Sequence, residues 1–290
     1  EPPHFSPGAT VGGMVAAGLS GPARASVGAV RDYVLGVSLI NGKAEPLTFG
    51  GQVMKNVAGY DVSRLMAGSW GTLGLLTEVS LKVLPVAPAE ATLRFECNQA
   101  DALRKLHAWG GQPLPLNASC WVQDGGVGTL YVRLRGAVAA VQAACKSMGG
   151  TRLDNATTTP NNALDWSACR DHTLPWFVQR TQQPDLALWR LSLPATAPVL
   201  ALPAAAQPLV EWHGALRWVQ APASAGDALR AAAEAVGGSA SVFVAASADP
   251  ESASGQFDPK SAALGKIHAR VKQAFDPAGI FNPGRLAAAW

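Results

Sequence analysis

Cysteine is scarce in this chain, and the little there is lies scattered. Cys97, Cys120, Cys145 and Cys169 are spread so evenly that no two form a C-x-x-C or comparable spacing. The chain alone therefore offers no ligand set for an iron–sulfur cluster or zinc, and the four are expected to be reduced, buried thiols. Histidine is no better arranged: His4, His107, His172, His213 and His268 contain no H-x-x-x-H pair, so no metal site is expected. Charged residues are only 15% of the chain and the net charge is +3, without a Lys/Arg-rich run or a basic–aromatic stripe, which argues against nucleic acid as a partner. No apolar stretch reaches the roughly 18 to 20 residues of a spanning helix, and no signal peptide opens the chain, so a soluble, cytoplasmic protein without a transmembrane segment is expected. There is no G-x-x-x-x-G-K-[ST] either, which removes the nucleoside triphosphatases.

What is present is a well-buried globular composition, 48% hydrophobic, over 290 residues, enough for two domains with proper cores. In "MAGSWGTLGLLTEVSLKVLP", Gly68, Gly71 and Gly74 stand three apart and run into Thr77, Val79, Leu81 and Val83, which alternate as a half-buried strand does. Helix-like "DVSRLMAG" precedes these glycines, the reverse of a dinucleotide-binding turn, in which a strand precedes and a helix follows. Residues 8 to 19, "GATVGGMVAAGL", read as a tight turn and short helix with Thr10 as N-cap and Gly18 as stop. "DYVLGVSLINGKAEPLTFGG" reads as two strands joined at Asn41-Gly42. Asp61 is positioned to cap the next helix, and Pro85 and Pro88 mark an exit.

Beyond residue 90 strand and helix patterns alternate. "ATLRFEC", "ADALRKLHAWG", "NASCWVQ", "GTLYVRLRG" and "AVAAVQAACKSMGG" give strand, helix, strand pair and helix; "LALWRLSLP", "LVEWH", "ALRWVQ", "AGDALRAAAEAVGG" and "SASVFVAA" repeat the theme. Two βαββαβ-like halves are expected, forming one antiparallel sheet covered by helices. "TTTPNNALDWSACRDH" and "PATAPVLALPAAAQP" read as a connecting helix and loops. A last helix, "SAALGKIHARVKQAF", enters "DPAGIFNPGRL", whose prolines and glycines make a shaped turn. The expected division is 1–88, 89–270 and a returning segment 271–290. The opening "EPPHFSPGATVGG", with no Met, suggests that the start of the first domain lies outside these residues.

"ATVGGMVAAG", "VRDYVLG", "GYDVSRLMAGSWGTLGLLTEVSLKVLP" and "FDPAGIFNPGRL" together resemble the vanillyl-alcohol-oxidase-like, PCMH-type FAD-binding family over nearly the full chain. The resemblance implies an α+β fold: a PCMH-type domain lacking its N-terminal part, plus an antiparallel-sheet cap with ferredoxin-like repeats. It also implies FAD as cofactor, lined by backbone amides from glycine-rich turns that let the chain approach closely. By the same resemblance Thr10, Val11, Gly12, Gly13 and Met14 form the first lining turn, and Gly71, Leu75 and Leu76 the second. Arg31 and Asp32, and Gly59, Tyr60 and Asp61, lie where the family passes near the flavin; the plainer reading is a helix cap for Asp61 and a packed aromatic for Tyr60. Lys55 would put positive charge near the ring, or is a solvated lysine. Asn282 and Arg285 belong to the tail that returns to the flavin, or to a rigid terminal turn.

Two departures from the family matter. The half that brings a G-G-G loop to the pyrophosphate is not in the chain. The H-x-G-D-G-N-x-H-like metal and base motif of relatives that oxidise 2-hydroxy acids is also absent. Substitutes are weak: Arg190 and Arg217 lie inside apolar cap strands, where each could bind a substrate carboxylate or serve its own domain, and His213 could be a base or a structural residue. The resemblance thus implies a flavoprotein subunit of a complex acting on a small 2-hydroxy acid. A sister catalytic flavin subunit would supply the metal motif and an iron–sulfur subunit would carry electrons onward; the complex would be cytoplasmic and peripheral to the inner membrane through those partners. A self-sufficient FAD-dependent 2-hydroxy-acid dehydrogenase and a structural subunit with a vestigial flavin pocket stay open as alternatives.

Overall fold

A computed structural model describes residues 1–53, 59–124, 126–153, 165–203, 206, 208–248 and 261–287. In chain order it has α1 (Val11–Ala17), α2 (Arg24–Val27), β1 (Val34–Ile40), β2 (Pro46–Gly50), α3 (Val62–Met66) and β3 (Leu75–Leu81). Then follow β4 (Ala89–Glu96), α4 (Gln99–Gly110), β5 (Leu116–Asp124), β6 (Val127–Gly136), α5 (Val138–Met148), β7 (Thr151–Leu153), α6 (Trp166–Arg170) and α7 (Pro175–Val178). The remainder is β8 (Leu186–Ser192), β9 (Leu209–Glu211), β10 (Leu216–Pro222), α8 (Gly226–Glu234), β11 (Ser239–Val244) and α9 (Ala262–Phe275). Two compact units result. The larger comprises Glu1, Gly21–Val27 and Pro85–Ala253; the smaller comprises Pro2–Ser20, Gly28–Leu84 and Ser254–Trp290.

The smaller unit is built on an antiparallel sheet of order β2-β1-β3. Its central strand buries Val34, Val37 and Leu39 against Val15 of α1, Met66 of α3 and Leu73, with Phe275 of α9 at the edge of this core. The Asn41-Gly42 hairpin forms with a five-residue connection. The Asn41 side chain accepts hydrogen bonds from the backbone N–H groups of Lys43 and Glu45 at 2.9 and 3.0 Å. Positive φ falls on Ala44, not Gly42. Gly42 is required for another reason: a Cβ there would stand 2.7 Å from the Asp276 Cα. β3 ends at Leu81, two residues short of the alternation, and Val83 is left exposed.

The larger unit is an eight-stranded sheet of order β11-β8-β10-β9-β5-β6-β4-β7, antiparallel at every pairing. Each half, β7-β4-β6-β5 and β11-β8-β10-β9, has the strand order of a ferredoxin-like βαββαβ motif, and β5 joins β9 through Cys120↔Glu211 and Trp121↔Val210. The α+β cap with a duplicated motif is therefore present. The second half departs from it between β8 and β9, where the described residues hold no helix. Pro194, Pro198, Pro203 and Pro208 recur there every four or five residues, each removing a donor that a helix needs. Arg217, fully buried in β10, fastens this segment by donating to the carbonyls of Pro198 and Ala197 at 2.6 and 2.8 Å.

Period-two alternation gives the sheet two buried faces. Leu93, Leu130, Val132 and Leu134 pack with Ala102 and Leu106 of α4 and Val141 and Ala144 of α5. Trp189, Leu191 and Val219 pack with Leu229 and Ala233 of α8. The opposite face carries Cys120, Tyr131, Leu188 and Trp218, covered by Trp166 and Cys169 of α6 and Phe177 of α7.

Candidate functional site

In the smaller unit, three segments singled out in the sequence meet. The Thr10 hydroxyl accepts a hydrogen bond from Gly13 N–H at 3.0 Å and so caps α1, which Gly18 ends in the left-handed conformation. A Cβ at Gly12 would stand 4.0 Å from the Leu76 carbonyl oxygen, so the first lining turn adjoins the second. The 68–71 turn is tied to α1 by Gly68 N–H to Val15 O at 3.1 Å and Trp70 N–H to Ala16 O at 2.8 Å. The tail completes the cluster. The Asn282 side-chain amide donates to the Trp70 carbonyl at 2.7 Å, and the Arg285 guanidinium lies 4.9 Å over the Trp70 ring. Trp70, Gly71 and Asn282 all have positive φ, so this junction is a shaped turn. Around it Val11 and Leu75 are exposed apolar side chains, while Met14 and Leu76 turn partly into the core.

A buried ion pair that the sequence did not single out holds the tail. Lys272 Nζ donates to Asp276 Oδ2 at 2.6 Å, to Thr72 O at 2.8 Å and to Phe281 O at 2.9 Å. Asp276 accepts further from Ile280 and Phe281 N–H. Burial alone would raise the Asp276 pKa, but Lys272 and the two amides outweigh it and hold the carboxyl below its ordinary value. The visible signal was the i,i+4 Lys–Asp spacing before Asp-Pro, which usually marks only a surface pair.

Other expected positions are engaged differently. Asp32 accepts from Ala29 N–H at 2.8 Å and fixes the turn after Gly28, while Arg31 is exposed. No hydrogen bond among the described residues links either to the cluster. Asp61 caps α3 through Arg64 N–H at 3.1 Å. Tyr60 is not the packed aromatic of the plainer reading: beside Gly59 it is 96% exposed. Lys55 lies outside the described residues.

In the larger unit the structure corrects two catalytic candidates. Arg217 has both amino groups committed to main-chain carbonyls and no exposure, so it cannot receive a substrate carboxylate. His213 has its ring between the hydroxyls of Ser119, 3.0 Å from Nδ1, and Ser26, 3.1 Å from Nε2. Burial pushes its pKa down to about 4, which leaves a neutral, structurally engaged imidazole and a poor base. Sequence reasoning also missed Glu211. Its carboxyl, fully buried, accepts from Trp218 Nε1 at 2.6 Å and Cys169 Sγ at 3.2 Å. Burial drives its pKa up to about 7 against the opposing pull of those donors and of Arg190. Cys169 and Cys120 are hydrogen-bonded neighbours with raised pKa values, so both are buried thiols of low reactivity.

Over 288 residues, 99% of this chain and 75% of the relative, the sequence is 43% identical to glycolate oxidase subunit GlcE of Escherichia coli strain K12. The chain belongs to the GlcE family of glycolate oxidase subunits. A shorter match, 38% identity over 93 residues, covers 32% of this GlcE-family chain and 20% of glycolate oxidase subunit GlcD of Bacillus subtilis strain 168. Among solved structures, alkyldihydroxyacetonephosphate synthase aligns with 95% of the chain and 58% of its own length at a TM-score of 0.61 and 14% identity. That likeness shows the fold, the PCMH-type FAD-binding fold with its cap. No protein-family model matches the chain.

The α1 cluster fits a flavin nucleotide. Among the described residues nothing stands within 4 Å of the place a Cβ would take at Gly68, and at Gly12 only the Leu76 carbonyl does, whereas at Gly71 the Asn282 amide stands 2.8 Å away. No acidic residue lies in the first turn of α1 to repel a phosphate. Exposed Val11 and Leu75 offer an apolar flank beside amide donors, the mix of lining such cofactor sites use.

Proposed function

We propose that this GlcE-family chain is an FAD-holding subunit of a glycolate oxidase, taking part in the two-electron oxidation of glycolate to glyoxylate. What carries the reading is the convergence of the Thr10–Met14, Gly71–Leu76 and Asn282–Arg285 segments in one cluster, on a chain 43% identical to GlcE. Thr10 orders the first turn of α1 by engaging the Gly13 and Met14 amides, so that the amides of Val11 and Gly12 can meet the cofactor's phosphates without a large positive charge. Gly71, Leu75 and Leu76 supply a second wall. Asn282, fixed on the Trp70 carbonyl, and Arg285, stacked on the Trp70 ring, set the returning tail against that wall. Bound FAD would supply a redox centre for electron transfer.

Oxidation of a 2-hydroxy acid also needs a base for the hydroxyl proton. His213 is occupied and held neutral, and the described residues hold no group of three or more His, Cys, Asp or Glu able to bind a metal. The proton-abstracting machinery is therefore assigned to a GlcD-type partner, and onward electron transfer to an iron–sulfur subunit. The test is glycolate-dependent reduction of an artificial electron acceptor by the purified chain, by a GlcD-type partner and by the two together. The reading expects turnover only with the partner present. Turnover by this chain alone would instead establish the self-sufficient dehydrogenase.

A further inference from the structure

The cap holds a cationic group that the flavin reading leaves unused. Arg190 stands in β8 opposite Trp218 of β10 and Ser241 of β11, so it shares the sheet face of Trp218. It is partly buried, and that burial takes its pKa down to about 10 with Arg24 pushing the same way and Glu211 opposing. Its guanidinium lies 5.3 Å over the Trp212 ring, and Arg24 lies 4.4 Å over the same ring. Among the described residues Arg190 makes no hydrogen bond or ion pair; Glu211, the carboxyl beside Trp212 in sequence, gives its oxygens to Trp218 and Cys169. Trp212 itself is fixed by its indole N–H on Gly21 O at 3.0 Å. Its backbone is strained: Trp212 and His213 have φ of 53° and 55° ahead of Gly214, a left-handed conformation unfavourable for non-glycine residues. A partly exposed guanidinium with no acceptor among the described residues leaves its planar fork open, and a carboxylate meeting that fork with two oxygens is the ligand that best satisfies it.

We propose that Arg190, with Arg24 beside it over Trp212, binds the carboxylate of a small 2-hydroxy or 2-oxo acid in the cap. The choice of acid rests on the function proposed above; the anion site itself does not. Binding is read on the full chain by calorimetric titration with glycolate and glyoxylate, with uncharged glycolamide and inorganic phosphate as comparisons. Melting temperatures are measured without ligand. Wild type should bind both acids saturably and glycolamide not at all. R190Q should bind them at least tenfold more weakly, R24Q several-fold more weakly, and R190K should keep part of the affinity; R104Q, an exposed control paired with Asp101, should behave as wild type. Because Arg190 makes no hydrogen bond or ion pair among the described residues, R190Q should melt close to wild type without ligand. Equal binding by R190Q, absence of saturable binding, or a ligand-free R190Q that melts well below wild type would each overturn the site, the last by making Arg190 a structural residue. Preference for phosphate would overturn the ligand class. Failure of glycolate turnover in the assembled complex, with binding intact, would count against the proposed function and leave this site standing.

Discussion

Lys272 and Asp276 form the pair whose loss should be felt most. D276N leaves the Lys272 ammonium buried with carbonyls only, and removing one partner of a buried pair costs about 3–5 kcal/mol; chemical denaturation should find a loss of that order. Because the Asp276 pKa is lower folded than unfolded, its contribution is present above the ordinary value of 3.8 and disappears as pH falls through the folded value. Glu211 works the other way. Its pKa is raised from 4.5 to about 7, so the folded state binds the extra proton and stability falls as pH climbs through that window, by about 3 kcal/mol. His172 and His213, both held near 4, oppose this by losing stability as pH drops from 6.5. The wild-type minus E211Q difference in unfolding free energy isolates the glutamate and should fall between pH 4.5 and 7.5; a flat difference would place Glu211 in an ordinary ionised state. None of this was legible in the sequence, because a lone Glu in "LVEWH" shows neither its burial nor the Trp and Cys donors that reach it from other elements.

At the scale of elements, α1 and the 68–71 turn should stand or fall together. G18A places a Cβ 2.7 Å from the Gly68 amide nitrogen at a φ of +62°; a cost of about 1–3 kcal/mol in unfolding free energy is expected, together with weaker FAD retention. T10A should lose about 1 kcal/mol of cap while T10S keeps it. R217Q should free the proline-rich segment between β8 and β9, lowering the melting temperature without altering the glycolate concentration dependence of the assembled complex. Much of this level was readable beforehand. Thr10, Gly18 and Asp61 are local caps whose partners lie within a few residues, and the cap strands alternate plainly enough to reveal the duplication. That the described residues between β8 and β9 hold no helix was also written in their prolines. Unreadable were the contacts between distant segments: Gly42 against Asp276, Gly71 against Asn282, and Gly21–Val27 packing with the cap unit while its neighbours on both sides belong to the other.

As a whole molecule, the chain combines a small three-stranded unit with the flavin-type cluster and a duplicated cap sheet, and no helix among its described residues is long and apolar enough to cross a membrane. The GlcE-family relationship covers 99% of it, and in the function proposed the smaller unit holds the cofactor, the cap receives the acid and a partner completes the chemistry. The most direct test of the first clause is the visible absorption spectrum of the full-length protein after incubation with FAD and removal of free cofactor, compared with the same protein carrying G12V and G71V. Flavin absorbance retained in stoichiometric amount by wild type and lost from the variant is the predicted result. A wild-type protein that comes through colourless would contradict it and make the glycine-lined cluster a structural turn.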